Sequence, residues 1–281
     1  MKVKFWGTRG SIPTPGNSTN MYGGNTTCIT VNPDGDDFSP LIIDSGTGVR
    51  PLSNMLLAAR QPLKLTMLFT HSHWDHIQGF PFFLPAYHPE NQIDIYYHPK
   101  LGGKVRDSLL NQMDARNFPI SYDKLKAKIN FYEIENGGDF KGIRIKTFKL
   151  NHPGSGIGFK FQKDGKSLVF LTDHELELNP SIGAGWEETE EFCRNADLLI
   201  HDAQYLRKEL QHFKGWGHSA SEDVFELALK AKVKRLVLFH HDPERTDGDL
   251  DEISIELNSM IKSQNLPLIC SPAREGKEIE I

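Results

Sequence analysis

The sequence predicts a mixed α/β chain, with two β-sheets packed face to face and helices on their outer surfaces. Three observations carry this. Short β-rich apolar runs crowd the first half of the chain. In the second half such runs alternate with segments of helical spacing. Several runs stop abruptly at a histidine or aspartate, as strands do when their ends feed a site. Sheets with an apolar face and helices with an apolar stripe bury both by stacking in layers.

The elements follow in order. Residues 2–6 read as a first strand, and the Gly-, Pro-, Ser- and Asn-rich stretch 7–24 as a loop. Residues 27–31 and 41–43 are β-rich runs bounded by turn residues, as in a hairpin. Residues 49–60 have helical character, and 64–69 form a short buried strand. Residues 93–97 are a further strand, and 101–116 a helix inside an insertion at about 99–128. Strands are then expected at 129–133, 143–150, 158–162, 167–171, 196–200 and 235–239. The segment 221–232 places Val224, Leu227, Ala228 and Ala231 on one helical face, with Ser219 or Ser221 as its cap. Residues 242–251 read as a solvated charged loop, and 250–264 as the last long helix.

Composition bounds the function. A chain of 281 residues with 38% hydrophobic residues holds enough apolar material for a sizeable core. The net charge of −5 argues against a surface built to wrap long nucleic acid. Cys28, Cys193 and Cys270 are odd in number and far apart, so no disulfide framework is expected. No apolar run approaches the roughly 20 residues needed to span a bilayer, and no signal region precedes the first strand. The expectation is a cytoplasmic protein that does not engage membranes.

The chemistry lies in Thr70-His71-Ser72-His73-Trp74-Asp75-His76, directly after an apolar run. Imidazole and carboxylate together suit a borderline divalent cation such as zinc, and also manganese or iron. His71 and His73 alternate and would point the same way off a strand end, whereas Asp75 and His76 follow in the next turn and would face a second ion. Four residues do not complete two metal shells. His152, Asp173 and His240 each follow a β-rich run and are candidate ligands, with His241 a rival to His240. Strand ends converging on one crevice are the usual way sheets build active sites.

The run THSHWDH resembles the THxHxDH signature of the metallo-β-lactamase superfamily, and His152, Asp173 and His240 fall in the order that superfamily uses. The resemblance covers nearly the whole chain. It implies a single domain over 1–281 with a four-layer αββα sandwich, and two divalent ions, zinc foremost. His71, His73 and His152 would hold one ion, Asp75, His76 and His240 the other, and Asp173 would bridge them. The run preceding His240, LVLF, resembles the family's last strand and favours His240 over His241. Asp44, in a strand-end Asp-x-Gly, would orient the metal loop without binding metal.

Two further runs narrow the branch. HDA at 201–203 and GWGHS at 215–219 look like the paired elements of the transfer-RNA-processing endonuclease ribonuclease Z and its phosphodiesterase relatives. By that likeness His218 would protonate a leaving oxygen and Asp202 would orient His218, with Asp75 taking a proton from the attacking water. Bacterial ribonuclease Z carries a long RNA-binding arm between the ligands matched here by His152 and Asp173. Only 21 positions separate them in this chain, room for a turn and two strands. The pattern therefore resembles compact phosphodiesterases, including the cyclic ribose-phosphate enzymes of phosphonate breakdown and the anti-Pycsar cyclic-nucleotide enzymes. FWGTRGSIPTPG, YGGNTTC and LFHHDPERTD look most like the last group. The expected substrate is a small phosphodiester, foremost a 3′,5′-cyclic nucleotide, and ribonuclease Z relatives being often dimeric, a homodimer is expected.

Alternatives were an endonuclease on RNA or single-stranded DNA, and a lactone- or thioester-cleaving hydrolase, which would generally lack the Asp202/His218 pair. A binding module that had lost its chemistry is disfavoured by the complete ligand set. Arg9, Phe118, Trp216 and Trp74 are candidate substrate contacts, and Arg245 a weaker one. Gly46-Thr47-Gly48 lacks a Walker lysine and is no triphosphate loop.

Overall fold

The computed structural model describes residues 1–58, 62–100, 104–176 and 183–281. Six strands come first: β1 (Lys2–Gly7), β2 (Cys28–Asn32), β3 (Leu41–Ile43), β4 (Lys64–Leu68), β5 (Gln92–Tyr97) and β6 (Lys128–Glu133). Seven more follow: β7 (Gly138–Phe140), β8 (Ile143–Lys149), β9 (Ile157–Lys163), β10 (Lys166–Leu171), β11 (Leu198–Asp202), β12 (Arg235–Phe239) and β13 (Ile269–Pro272). The last, β14 (Glu278–Glu280), returns to pair antiparallel with β1. Among the described residues the sheets run β14-β1-β2-β3-β4-β5-β6 and β13-β12-β11-β10-β9-β8-β7.

Alternation of side chains places the layers. Leu41 and Ile43 face the inter-sheet core while Ile42 faces outward. Val237 and Phe239 point in, whereas Leu236 and Leu238 point out. The inner core also takes Phe5, Phe159, Phe161 and Phe170, all fully buried. Both faces of the central strands are apolar because both are covered. Helices α1 (Val49–Leu57) and α3 (Val105–Asn111) join the outer cluster of the first sheet. Helices α4 (Trp186–Cys193), α6 (Ser221–Lys230) and α7 (Asp247–Ser263) cover the second. Two short helices, α2 (Trp74–Ile77) and α5 (Arg207–Phe213), flank the site. This is the expected four-layer αββα sandwich.

Several boundaries differ from the sequence reading. The helix expected over 101–116 is α3, ending at Asn111; residues 101–103 lie outside those described, as do 59 and 60 of the expected first helix. Beyond Asn111 the Asp114 carboxylate accepts the Arg116 N–H at 3.0 Å, and the Asp114 carbonyl those of Asn117 and Phe118, so a side-chain turn replaces the helix. The loop expected over 242–251 is half helix. Thr246 caps α7, its hydroxyl accepting from Asp249 N while the Asp249 carboxylate accepts from Thr246 N. Neither Ser219 nor Ser221 caps α6; Ala220 holds that place, Ser219 Oγ donates to His174 O at 2.5 Å, and Ser221 Oγ turns to Glu222.

Candidate active site

Strand direction collects the candidate residues at one edge. β8 and β10 both run antiparallel to β9, so they point the same way, and β10, β11 and β12 are parallel. Their C-terminal ends deliver His152, Asp173, Asp202 and His240. In the facing sheet, parallel β3 and β4 deliver Asp44 and the 70–76 segment. Asp44, Asp173 and His240 sit at φ 58°, 51° and 59°, the left-handed region that Asp and His tolerate better than most residues. At each, the chain turns sharply off its strand.

Three donor groups form among the described residues, each with ligand atoms within 4.8 Å of one another: His71, His73, His152 and Asp173; Asp75, His76, Asp173 and His240; and Asp202, His218 and His240. Asp173 belongs to the first two, and its oxygens divide. Oδ2 lies 3.6 Å from His71 Nε2 and 3.7 Å from His152 Nε2, while Oδ1 lies 3.2 Å from both His76 Nε2 and His240 Nε2. One carboxylate thus faces two subsites. His241 is in none of these groups; it is buried with Nε2 on the Ala273 carbonyl at 2.9 Å.

The far side of most of these residues is held. His76 Nδ1 lies 2.8 Å from Asp44 Oδ2, and Asp44 also accepts from the Thr70 backbone N–H and hydroxyl. His71 Nδ1 meets Thr70 Oγ1, His152 Nδ1 meets the Gly217 carbonyl, and His240 Nδ1 meets Gln204 Oε1. Ser11 N donates to Asp75 Oδ2 at 2.8 Å. Such outer contacts set ring orientation and free the inward nitrogens for a metal.

The residues fit a pair of divalent cations. His71 Nε2 and His76 Nε2 are buried without hydrogen-bond partners, a costly state that ligation relieves. Asp44, Asp75 and Asp173 are all buried. Burial would lower the His76 pKa, yet Asp173, Asp75 and Asp44 raise it well above the ordinary value. Burial lowers the His152 pKa to about 4, leaving a neutral imidazole suited to ligation. Burial opposes ionisation of Asp75 and Asp173, but neighbouring histidines hold both carboxyls well below their usual range.

Beside the second subsite stands a different pair. His218 Nδ1 lies 2.5 Å from Asp202 Oδ2, and the His218 ring stacks on that of His240 at 5.0 Å. Burial lowers the His218 pKa, but the charge and hydrogen bond of Asp202 outweigh it and bring it to about 9. The raised value favours the protonated ring, with Nδ1 engaged by Asp202.

Its loop is clamped by a residue that sequence reading missed. The Glu175 carboxylate, 1% exposed, accepts the N–H groups of Gly215 and Gly217 at 2.8–3.0 Å. Gly217 has φ 89°, and a Cβ there would stand 1.9 Å from His152 Nδ1, so only glycine fits. Glu175 follows Asp173 by two residues, a signal indistinguishable in sequence from a surface acid. Gln204 carries no sequence signal either, and the backbone N–H groups of the Gly7–Ser11 loop, expected to face a phosphate, include that of Ser11, which meets Asp75.

The expected substrate contacts are placed unevenly. Arg9 is fully buried, its Nε donating to the Gly23 carbonyl and its Nη1 to those of Asp242 and Arg245. It fastens the N-terminal loop and does not face a phosphate, which corrects that expectation. The same loop is tied by Asp247 to the N–H groups of Met21 and Tyr22, by Asp251 to Tyr22 Oη, and by Glu275 to Asn25. Arg245 is spent on Glu209, at 2.6 Å. Phe118 is half-buried against Phe82, whereas Trp74 and Trp216 are 66% and 61% exposed.

A family profile described as the beta-lactamase superfamily domain matches residues 41–241. Ribonuclease Z of Staphylococcus epidermidis is 24% identical, the match covering 95% of this chain and 96% of that one. Ribonuclease Z of Pyrococcus abyssi is 26% identical, covering 92% and 91%. Among solved structures, a diphosphatase from the PhnP family superposes with a TM-score of 0.70 at 17% identity, covering 100% of this chain and 97% of that one. With its donor groups in place at the sheet edge, the chain belongs to the beta-lactamase superfamily.

Proposed function

We propose that this chain is a two-metal phosphodiesterase acting on a small phosphodiester, foremost a 3′,5′-cyclic nucleotide opened to a nucleoside monophosphate. The observation that carries the reading is the Asp202–His218 pair beside the ligand cluster. A phosphodiester has a poor alkoxide leaving group, and an imidazolium positioned next to it answers that need. A thioester, whose thiolate departs readily, needs no such donor, and lactone- and thioester-cleaving hydrolases of the superfamily generally lack the pair.

His71, His73 and His152 would hold one cation and Asp75, His76 and His240 the other, with Asp173 between; zinc is the leading candidate, manganese or iron the alternatives. When bound, the two cations supply charge neutralisation at the phosphate and activation of water. Asp75, ionised and steadied by Ser11 N, accepts the proton of the attacking water. The new O–P bond forms as the P–O bond to the sugar breaks, and His218 delivers its Nε2 proton to the departing oxygen. Asp202 keeps Nδ1 engaged and stabilises the charged ring.

A small substrate is favoured by the interval between His152 and Asp173, which holds only the β9–β10 hairpin. The second reading is endoribonuclease action, favoured by ribonuclease Z relatives that match nearly end to end. Homodimer assembly accompanies the proposal as an expectation of the resemblance, and cytoplasmic location as an expectation of the cysteine usage.

The test is turnover of a panel of 3′,5′-cyclic mononucleotides with zinc or manganese, beside H218A. Fast opening of one or more, collapsing in the variant, supports the proposal. Cleavage of transfer-RNA precursors with no cyclic-nucleotide turnover would move the assignment to the second reading. Turnover of a generic aryl diester alone would keep the class and sink the cyclic substrate.

A further inference from the structure

A cavity of about 530 Å³ opens beside the general-acid pair and is not used by the chemistry above. That volume falls in the usual range for small-molecule sites, roughly 300–1,000 Å³. Its inner end touches the site. Ser11, which holds Asp75, and Gln204, which holds His240, both line it.

One wall is aromatic. Tyr205 and Phe213 stack at 4.5 Å with their planes 7° apart, and Trp216 meets Phe213 edge-on at 5.3 Å. Tyr205 lies 5.9 Å from the His218 ring, so this wall continues directly from the proton donor. Trp216 keeps 61% of its surface exposed, a large aromatic face left available at the cavity mouth.

The rim is acidic. Asp242, Glu244 and Glu209 line it with a single cation among the described lining residues, Arg245. Arg245 is already paired, its two terminal nitrogens 3.2 and 2.6 Å from the Glu209 carboxylate. A second phosphate entering here would meet uncompensated carboxylates. A flat, uncharged ring presenting N–H donors would meet aromatic faces and acceptors.

We propose that this cavity is a nucleobase subsite, selective for bases with an exocyclic amino group and closed to further phosphates. It lies on the leaving-group side of His218, so it would hold the base of the nucleoside whose sugar oxygen departs. The inference rests on the phosphodiesterase reading for its place in turnover, but its recognition chemistry is testable separately. Carboxylates accept from the exocyclic amino groups of adenine, cytosine and guanine, whereas the one ring N–H of uracil free to donate lies between two carbonyl oxygens that carboxylates repel.

The experiment has two arms on the zinc-loaded protein. Calorimetry measures binding of free adenosine, cytidine, guanosine and uridine. Kinetics compares KM for 3′,5′-cyclic nucleotides with KM for a cyclic ribose phosphate that lacks a base. Amino-bearing nucleosides are expected to bind about tenfold more tightly than uridine, as one or two added hydrogen bonds would give. W216A should weaken nucleoside binding about tenfold, the scale of one lost stacking contact, and collapse the KM advantage of base-bearing substrates. The D242N/E244Q double variant should level adenosine with uridine. Trp216 and Glu244 are exposed, and D242N keeps the size and an acceptor of a half-buried side chain, so these variants should fold.

Equal binding of all nucleosides by wild type and W216A would overturn the subsite even if diesters are hydrolysed. Selective nucleoside binding lost in W216A, without hydrolysis of any diester, would sustain the subsite while the phosphodiesterase reading falls. Base-less and base-bearing substrates with the same KM would overturn the inference.

Discussion

The two sheets supply the site in different ways. The first offers His71, His73, Asp75 and His76 from one short segment after β4, with Asp44 behind them. The second offers His152, Asp173, Asp202, His218 and His240 from ends and loops spread over nearly ninety positions. A contiguous segment needs only one loop conformation to bring its ligands together. A dispersed set needs the register of four strands. On the proposed reading, the compact half would carry metal ligands alone, whereas the dispersed half would carry both the bridging Asp173 and the proton donor His218. Cation binding would then be shared between the sheets, with leaving-group chemistry assigned to the second.

The sharpest way to break that division is at Asp173, the carboxylate facing both subsites. D173A should abolish turnover and lower bound metal, measured by elemental analysis, in both subsites at once. H152A, touching one subsite, should leave roughly half the metal. Equal metal content in wild type and D173A would contradict a bridge.

Removing the proton donor should leave the metals alone. H218A is expected to cut kcat by about 10²–10⁴-fold for alkoxide leaving groups, the usual span for a general acid, with metal content unchanged. The loss should shrink for a p-nitrophenyl ester, whose leaving group needs no proton. The pH profile sharpens this. His218 is protonated below about 9, so kcat should fall as pH rises through that value. D202N should move the falling limb to lower pH. The sign for stability follows the same shift. A raised histidine pKa contributes stability fully present below about 6.5, the unfolded value, and lost as pH climbs through about 9. Chemical melts from pH 6 to 10 should show that loss in wild type and less of it in D202N.

D44A acts only through His76 and Thr70, so it should weaken metal binding by about 10–100-fold, read by chelator competition, with kcat largely recovered at saturating metal. The smallest effect is expected at Glu175. E175Q keeps an acceptor for one glycine N–H and loses the other, and should lower kcat about tenfold, roughly one charge-assisted hydrogen bond. Its metal content should stay intact. A drop in metal with kcat unchanged would show that Glu175 serves His152 through Gly217 more than it serves His218.

The same contrast explains what was legible in the sequence. The 70–76 run announced its chemistry because three imidazoles and a carboxylate so close together have few structural uses. His152, Asp173 and His240 were readable only as residues after apolar runs, and the inter-sheet register that unites them is a tertiary fact. Arg9 misled because a Gly- and Ser-rich loop looks the same whether its arginine faces a ligand or three backbone carbonyls. Glu175 left no trace, since its partners are glycine N–H groups about forty positions away. Helices α4 and α5 went unread because their exposed faces are dense in charge and their apolar stripes short.

The tethering of the N-terminal loop has a consequence for the order in which the protein is made. Ser11 steadies Asp75, but the loop bearing it is fastened to Asp242, Arg245, Asp247, Asp251 and Glu275. On the ribosome, the THSHWDH segment emerges well ahead of the residues that complete its site and waits. His240 follows Asp75 by 165 positions, and the loop's carbonyl and carboxylate anchors, from Asp242 to Glu275, come after it. Contacts of such long sequence separation form late. A nascent chain therefore carries most of its cation-seeking side chains well before it has the geometry to use them.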